Sequence, residues 1–262
     1  FEEELGFSLF YRNGRTLDMT AEGRTLFLKA KSVFDSIVSV EDFLENRKDY
    51  FGNVTIYASQ EIERPFLAKI TTALMKSSSF QSSSFFVNSI LETEMANFSN
   101  NEFSGLYLTH TKIKTMKLIQ EFKFPIKLIS SIQNADMGSV KTGNLKSLIS
   151  RLGQRLLIPS AGHTLRAELE KHVSFKELKT QTLLESNIMA CLTQSVREGL
   201  GCSLLPIQYV YDDIKKNRLS VYGPPNGFWE YSLFLYSPTK EVETTAKEVV
   251  RVIQNFTIEK GG

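Results

Sequence analysis

The sequence predicts an α/β fold, and three observations carry the prediction. Short β-rich runs alternate with helical runs from Gly52 onward. Ahead of them lies one amphipathic segment without proline, too long for an ordinary globular helix. The 262 residues, 42% of them hydrophobic, are enough for one large domain or two smaller ones, each with its own core.

The elements follow in order. LFYRNGRTLDMTAEG, residues 9–23, reads as two short strands about an Arg-rich turn, with Asn13-Gly14 as a tight hairpin signal. Thr20 is a suitable N-cap for the long segment behind it. There Leu26, Ala30, Val33, Ile37, Val40 and Leu44 recur at spacings of 4, 3, 4, 3 and 4, a heptad seam widened by Phe27, Phe34, Val38 and Phe43. A helix of about 27 residues would be some 40 Å long at about 1.5 Å per residue. Its seam needs a partner, either the helix's own domain or a second copy of the chain. The charge run 45–49 reads as the solvated end of that helix.

Beyond it, VTIYAS (54–59), FFVNSI (85–90) and GLYLTH (105–110) are strand-like, separated by helix-like PFLAKITTALMK and ETEMANF. A second series has FPIKLISS, RLLIPS, TLLES and CSLLP as strands. NLKSLISRL, HTLRAELEKHV and NIMACLTQSVREGL are its helices. VETTAKEVVRVIQNF closes the chain as an amphipathic helix. Strand–helix alternation of this kind implies βαβ units and parallel pairing. Two such series imply two similar subdomains.

Composition excludes several classes. The net charge of +2 does not by itself mark a nucleic-acid partner, and residues 1–50 hold seven Lys/Arg against ten Asp/Glu, so the front of the chain is no basic arm. No apolar run reaches the roughly 20 residues of a membrane span, and no secretory leader opens the sequence, so a cytoplasmic protein without a membrane partner is expected. Cys191 and Cys202 lie in no CxxC pair and beside no histidine cluster; both are expected to be buried, inert thiols, with no disulfide and no metal. There is no nucleophile elbow, HExxH, phosphate-binding loop or GxGxxG fingerprint, which leaves no catalytic residue and no cofactor to name.

REGLGCSLLP, residues 197–206, combines Gly199 as a left-handed helix stop, Gly201 for close backbone approach and a short buried strand ending at Pro206. With FEEELGFSLFYRNGRTLDMTAEG it makes the chain resemble the LysR-type transcriptional regulators of bacteria. The matching positions are Glu2, Leu5, Gly6, Leu9, Phe10, Arg12, Thr20, Ala21 and Gly23, then HTLRAELEKH and ESNIMACLTQSVREGLGCSLLP; Phe1 stands where the family has Leu. The resemblance covers essentially the whole chain and is weakest between residues 77 and 145.

That resemblance implies a remnant of a winged helix-turn-helix at 1–19 and a linker and dimerisation helix at 20–49. It also implies a two-lobed effector domain similar to type 2 periplasmic binding proteins, with lobe I at 52–127 and 227–262 and lobe II at 128–226. The wing residues Arg12, Asn13 and Arg15 would touch promoter DNA in the intact protein, and this chain alone would bind DNA poorly. The plain alternative is a tight turn with arginines in solvent.

A small-molecule effector would sit between the lobes, near strand ends and helix starts: Ser59, Gln60, Thr109, His110, Ser130, Ser160, His163, Thr164 and Pro206. Ser160 to Thr164, at a helix start, suits an organic anion or ordinary capping equally. The seam Leu26, Ala30, Val33, Ile37, Val40 and Leu44 would build a homodimer, and the lobes a homotetramer. Two other classes compete: a solute-binding protein of a transporter, which has no use for the heptad helix and wing, and a small-molecule enzyme, which lacks its catalytic constellation.

Overall fold

The computed structural model describes residues 1–13, 16–45, 53–81, 83–95, 105–134, 144–153, 155–174, 181–237 and 243–258. Arg15, the charge run beyond Glu45 and the end of ETEMANF therefore lie outside the described residues, as do the side chains of Asn13, Val38, Val40, Phe43 and Leu44.

The chain opens on a single helical turn, α1 (Glu2–Leu5), ended by Gly6 in the left-handed conformation. The Glu2 carboxylate turns back to accept the backbone N–H groups of Leu9 and Phe10, which ties this turn to the hairpin behind it. Strands β1 (Phe10–Asn13) and β2 (Thr16–Met19) pair antiparallel with Asn13 opposite Thr16. The long helix α2 (Ala21–Glu45) follows.

Thr20 caps α2 as its chemistry predicts: its Oγ1 accepts Gly23 N–H at 2.9 Å. Thr20 also joins helix to hairpin, donating its N–H to Leu9 O at 2.9 Å and its hydroxyl to Ser8 O at 2.7 Å. Gly23 lies flat against the same carbonyl; a Cβ there would stand 2.1 Å from Leu9 O. Along the seam Leu26 is half-buried, while Ala30, Val33 and Ile37 are exposed. Exposure reaches 59% at Val33 and 68% at neighbouring Phe34, so among the described residues nothing covers this part of the helix.

The rest is one mixed sheet with helices on its faces. In its first half β3 (Asn53–Ser59) pairs parallel with β4 (Ser84–Ile90) on one side and β5 (Leu106–Thr109) on the other, the order 4-3-5 expected of βαβ units. Helix α3 (Arg64–Met75) starts with Pro65 in its first turn, where a missing N–H costs nothing. It buries Phe66, Ile70 and Leu74, one face at i, i+4 and i+8, against the closing helix α9 (Glu243–Ile258) and the sheet. A short turn, α4 (Glu92–Met95), follows β4.

The second half holds β7 (Leu156–Pro159) parallel to β8 (Thr182–Ser186) and to β9 (Cys202–Pro206). Around it pack α5 (Leu145–Leu152), α6 (Thr164–His172), α7 (Met189–Arg197) and α8 (Tyr211–Lys215). Gly199 takes φ 74° and Gly201 meets the Arg155 carbonyl, the roles their sequence context predicts.

One strand belongs to both halves. β6 (Lys117–Ser131) begins seven residues before the run FPIKLISS and spans 15 residues. Its first part, to Pro125, pairs antiparallel with β11 (Glu230–Ser237); from Ile126 it pairs with β9 and with β10 (Leu219–Tyr222). At the change of partner, Ile126 N–H donates to Trp229 O and Phe228 N–H to Ile126 O, both at 2.9 Å, so the returning chain crosses beside the outgoing one.

Antiparallel β10 and β11 are absent from the sequence expectation of parallel pairing. Cys191 also departs from expectation. It is exposed, because α7 turns Met189, Leu192 and Val196 inward and leaves Cys191 on the opposite face; Cys202 is buried in β9.

Candidate functional site

The carboxyl ends of β3 and β5, the start of α6 and the crossing of β6 with β11 converge where the two halves of the sheet meet. Ser59, the last residue of β3, is buried; its Oγ accepts Glu61 N–H at 3.1 Å and its carbonyl accepts Ile62 N–H, a tight turn that projects the next side chains toward the second half. Gln60 within that turn is exposed, held by its N–H to Ile90 O.

Two acids leave this turn and cross to the other half. The Glu61 carboxylate accepts Thr164 N–H, with both oxygens at 3.1 Å, and the Thr164 hydroxyl donates to it as well. Tyr231 of β11 closes on that hydroxyl from the first half. His163 is the N-cap of α6: its Nδ1 accepts Leu165 N–H at 3.1 Å and stands 3.5 Å from Glu61 Oε2. Accepting that N–H fixes Nδ1 as the unprotonated nitrogen. Ser160 sets the turn before it, donating its N–H to Ser186 O and accepting His163 N–H.

Glu63, two residues after Glu61, is 1% exposed and accepts the Thr193 hydroxyl of α7 at 2.9 Å; among the described residues its other oxygen has no hydrogen-bond partner. Burial raises its pKa above the usual 4.5, opposed by the Thr193 hydrogen bond and the Arg197 charge, while Asp213 adds to the rise.

Thr109 ends β5 fully buried, its Oγ1 accepting Thr111 N–H. His110 bridges the halves: Nδ1 is 2.7 Å from Ser232 O, Nε2 is 2.6 Å from the Tyr209 hydroxyl, and the ring stacks on Tyr231 at 4.1 Å. The Ser232 carbonyl can only accept, so Nδ1 carries a proton and Nε2 faces the phenol. Pro206 pairs with Ile126 at the crossing itself.

The structure therefore brings Ser59, Gln60, Thr109, His110, Ser160, His163, Thr164 and Pro206 to one junction. Ser130 is set apart. It pairs with Cys202 while Ile126 pairs with Pro206, which puts it about 13 Å down the strand at about 3.3 Å per residue, fully buried among backbone. β6 runs on past the crossing and carries Ser130 away with it.

The residues missed by sequence reasoning are Glu61, Glu63, Thr193, Tyr209 and Tyr231. Two acids in QEIERP, between a strand and a proline-started helix, were the available signal for the first pair.

In the hairpin Arg12 is exposed on β1, opposite Leu17. Among the described residues no helix is long and apolar enough to cross a membrane.

No family model matches the sequence. Over 236 residues the chain is 23% identical to the HTH-type transcriptional regulator CzcR of Bacillus anthracis, a match covering 88% of this chain and 76% of that protein. A single-residue variant of full-length OxyR from Pseudomonas aeruginosa superposes with a TM-score of 0.63 at 14% identity, over 97% of this chain and 82% of that one. CrgA of Neisseria meningitidis, a LysR-type transcriptional regulator, gives 0.55 at 16% identity over 100% and 86%. At these identities the structural likeness establishes the fold, which extends from the hairpin and long helix through both halves of the sheet.

Proposed function

We propose, for a chain whose fold and sequence pattern are those of the LysR-type transcriptional regulators, that it is a cytoplasmic DNA-binding regulator that dimerises through α2 and answers a small molecule bound between its two lobes. The observation that carries this reading is the junction of hairpin and α2. Thr20 and Gly23 lock the Arg-bearing hairpin to a 25-residue helix whose Val33, Phe34 and Ile37 no described residue of the same chain covers. A periplasmic-type solute receptor has no need of that assembly. An enzyme needs an activated nucleophile or paired acid and base, and the two carboxylates at the junction are instead spent on Thr164 and Thr193.

The roles divide by position. Arg12, with Arg15, contributes phosphate contacts beside a recognition helix, positioning more than reading bases. Leu26, Ala30, Val33 and Ile37, continued by Val40 and Leu44, form the dimer seam. Burial from full exposure is worth roughly 1.5–3 kcal/mol for side chains such as Val33, Phe34 and Ile37, and covering these half- to two-thirds-exposed residues in both copies contributes on the scale of a typical cost of association. Effector contacts come from the junction residues Ser59, Gln60, Thr109, His110, Ser160, His163 and Thr164, with Pro206 at the crossing. Closure of the lobes on a ligand would change the angle between the two α2 helices of a dimer and so the spacing of the DNA-binding heads.

Sedimentation of this chain tests the assembly: a dimer or larger species is expected at micromolar concentration, dissociated by Val33→Asp with Ile37→Asp. A wild-type monomer removes the seam. For the protein translated from the whole gene, a gel shift on DNA upstream of that gene at low salt is expected to succeed and to weaken steeply as salt rises. Failure at low salt removes the regulator reading.

A further inference from the structure

The first turn of α6 presents N–H groups without partners inside the helix and the positive end of a nine-residue helix, a place that attracts a negative oxygen. The protein fills that place itself. Glu61, from the other half, lays its carboxylate across Thr164 N–H with both oxygens at 3.1 Å, takes the Thr164 hydroxyl in addition, and stands 3.5 Å from His163 Nδ1. Tyr231, also from the first half, covers the same hydroxyl. The Thr164 N–H and hydroxyl are the donors a bound acetate would use, with the acid tethered by the Ser59 turn, whose Oγ holds Glu61 N–H.

We infer that Glu61 is a resident anion and a specificity determinant: it occupies the carboxylate position at the start of α6, excludes carboxylate ligands from it, and holds the two lobes together without an effector. The inference deepens the proposed cleft by stating what its best anion position accepts. A free carboxylate competes with a tethered one whose effective concentration lies in the millimolar range. It must also replace the carboxylate that already takes both donors, the shared Thr164 N–H and the Thr164 hydroxyl. Removing the side chain empties the position and leaves its donors in place, so the emptied protein takes the small acid that the wild type refuses.

The test is chemical rescue of the full chain, read as thermal midpoint with acetate and formate against chloride at equal ionic strength. Glu61→Ala is expected to melt below the wild type and to regain about 2–4 °C in acetate beyond the chloride control, as native-state binding requires. The wild type and Glu61→Gln, whose amide still fills the position, are expected not to respond. Amide exchange at Thr164 follows the same pattern: protected in the wild type, open in Glu61→Ala, protected again with acetate. Should Glu61→Ala fail to fold, its refolding yield in acetate against chloride reads the same site; recovery supports the assignment and no recovery overturns it. Equal responses of wild type and Glu61→Ala, or no response of Glu61→Ala, also overturn it. A failed gel shift would remove the regulator reading and leave this result standing, so the two failures are distinguishable.

Discussion

Replacing Gly23 by alanine should unfasten the hairpin from α2 without unfolding the lobes. The added Cβ would lie 2.1 Å from Leu9 O, where a carbon and an oxygen need about 3.2 Å, so the carbonyl must retreat by about 1 Å. That same carbonyl accepts Thr20 N–H at 2.9 Å, and Thr20 caps the helix through Gly23 N–H. Overpacking costs typically about 1–3 kcal/mol and loss of the cap about 1 kcal/mol, so the junction should weaken by roughly 2–4 kcal/mol. Amide exchange reads it directly. Protection at Thr20 and Gly23 should fall by about one and a half to three orders of magnitude, at about 1.4 kcal/mol per tenfold, while amides in β3, β5 and β11 keep theirs. Gly6→Ala is the control: Gly6 has a φ of 76° but open space where a Cβ would go, so it costs only the left-handed penalty of about 1 kcal/mol. Unchanged protection in Gly23→Ala, or equal effects at the two glycines, would refute the argument that close approach is what position 23 requires.

The remaining predictions are local. Because burial raises the Glu63 pKa above 4.5, the native state binds more protons than the unfolded one between 4.5 and the raised value, and stability falls as pH rises through that window. Glu63→Gln, facing the same Arg197 and Asp213, should flatten that part of a denaturant-midpoint profile; an unaltered slope would assign it elsewhere. Native protein should react with a thiol reagent once, at exposed Cys191, and unfolded protein twice, since burial pushes the Cys202 thiol up to about 12; two fast thiols in the native state would contradict the packing of β9. Phe66→Ala removes a ring in edge contact with Phe124 at 5.6 Å and tilted against Tyr209 at 5.4 Å, and should cost about 3–5 kcal/mol in chemical denaturation. A loss below about 1 kcal/mol would mean that the core collapses around the gap.

Much of this was legible in the sequence wherever one local rule decided the outcome. Thr20 caps a helix because a hydroxyl there accepts an orphan N–H, and VTIYAS becomes β3 with Val54, Ile56 and Ala58 buried in alternation. The spacing of α7 even held the answer for Cys191, since Met189, Leu192 and Val196 define a buried face that excludes it. What was not legible depends on partners distant in the chain. EYSLFLYS becomes an antiparallel strand only because β5 and β6 present edges to it, more than a hundred residues earlier. Ser130 looked close to the crossing in sequence, but an uninterrupted strand carries it away from there. Glu61 meets its partner 103 residues on, and no local pattern announces that a helix start will be filled by the protein's own acid.

The double crossing at Ile126 also limits how the molecule can move. Outgoing and returning backbones are cross-bonded there, through Ile126 to Trp229 and Phe228, and the outgoing one is a continuous β-strand on both sides. Such a ribbon resists shear and stretch but tolerates torsion and gentle bending about its own axis. The halves are also joined by Glu61 to Thr164, His110 to Tyr209 and Glu63 to Thr193, so a change of angle between them twists the ribbon at Ile126 and strains or breaks those three side-chain bonds.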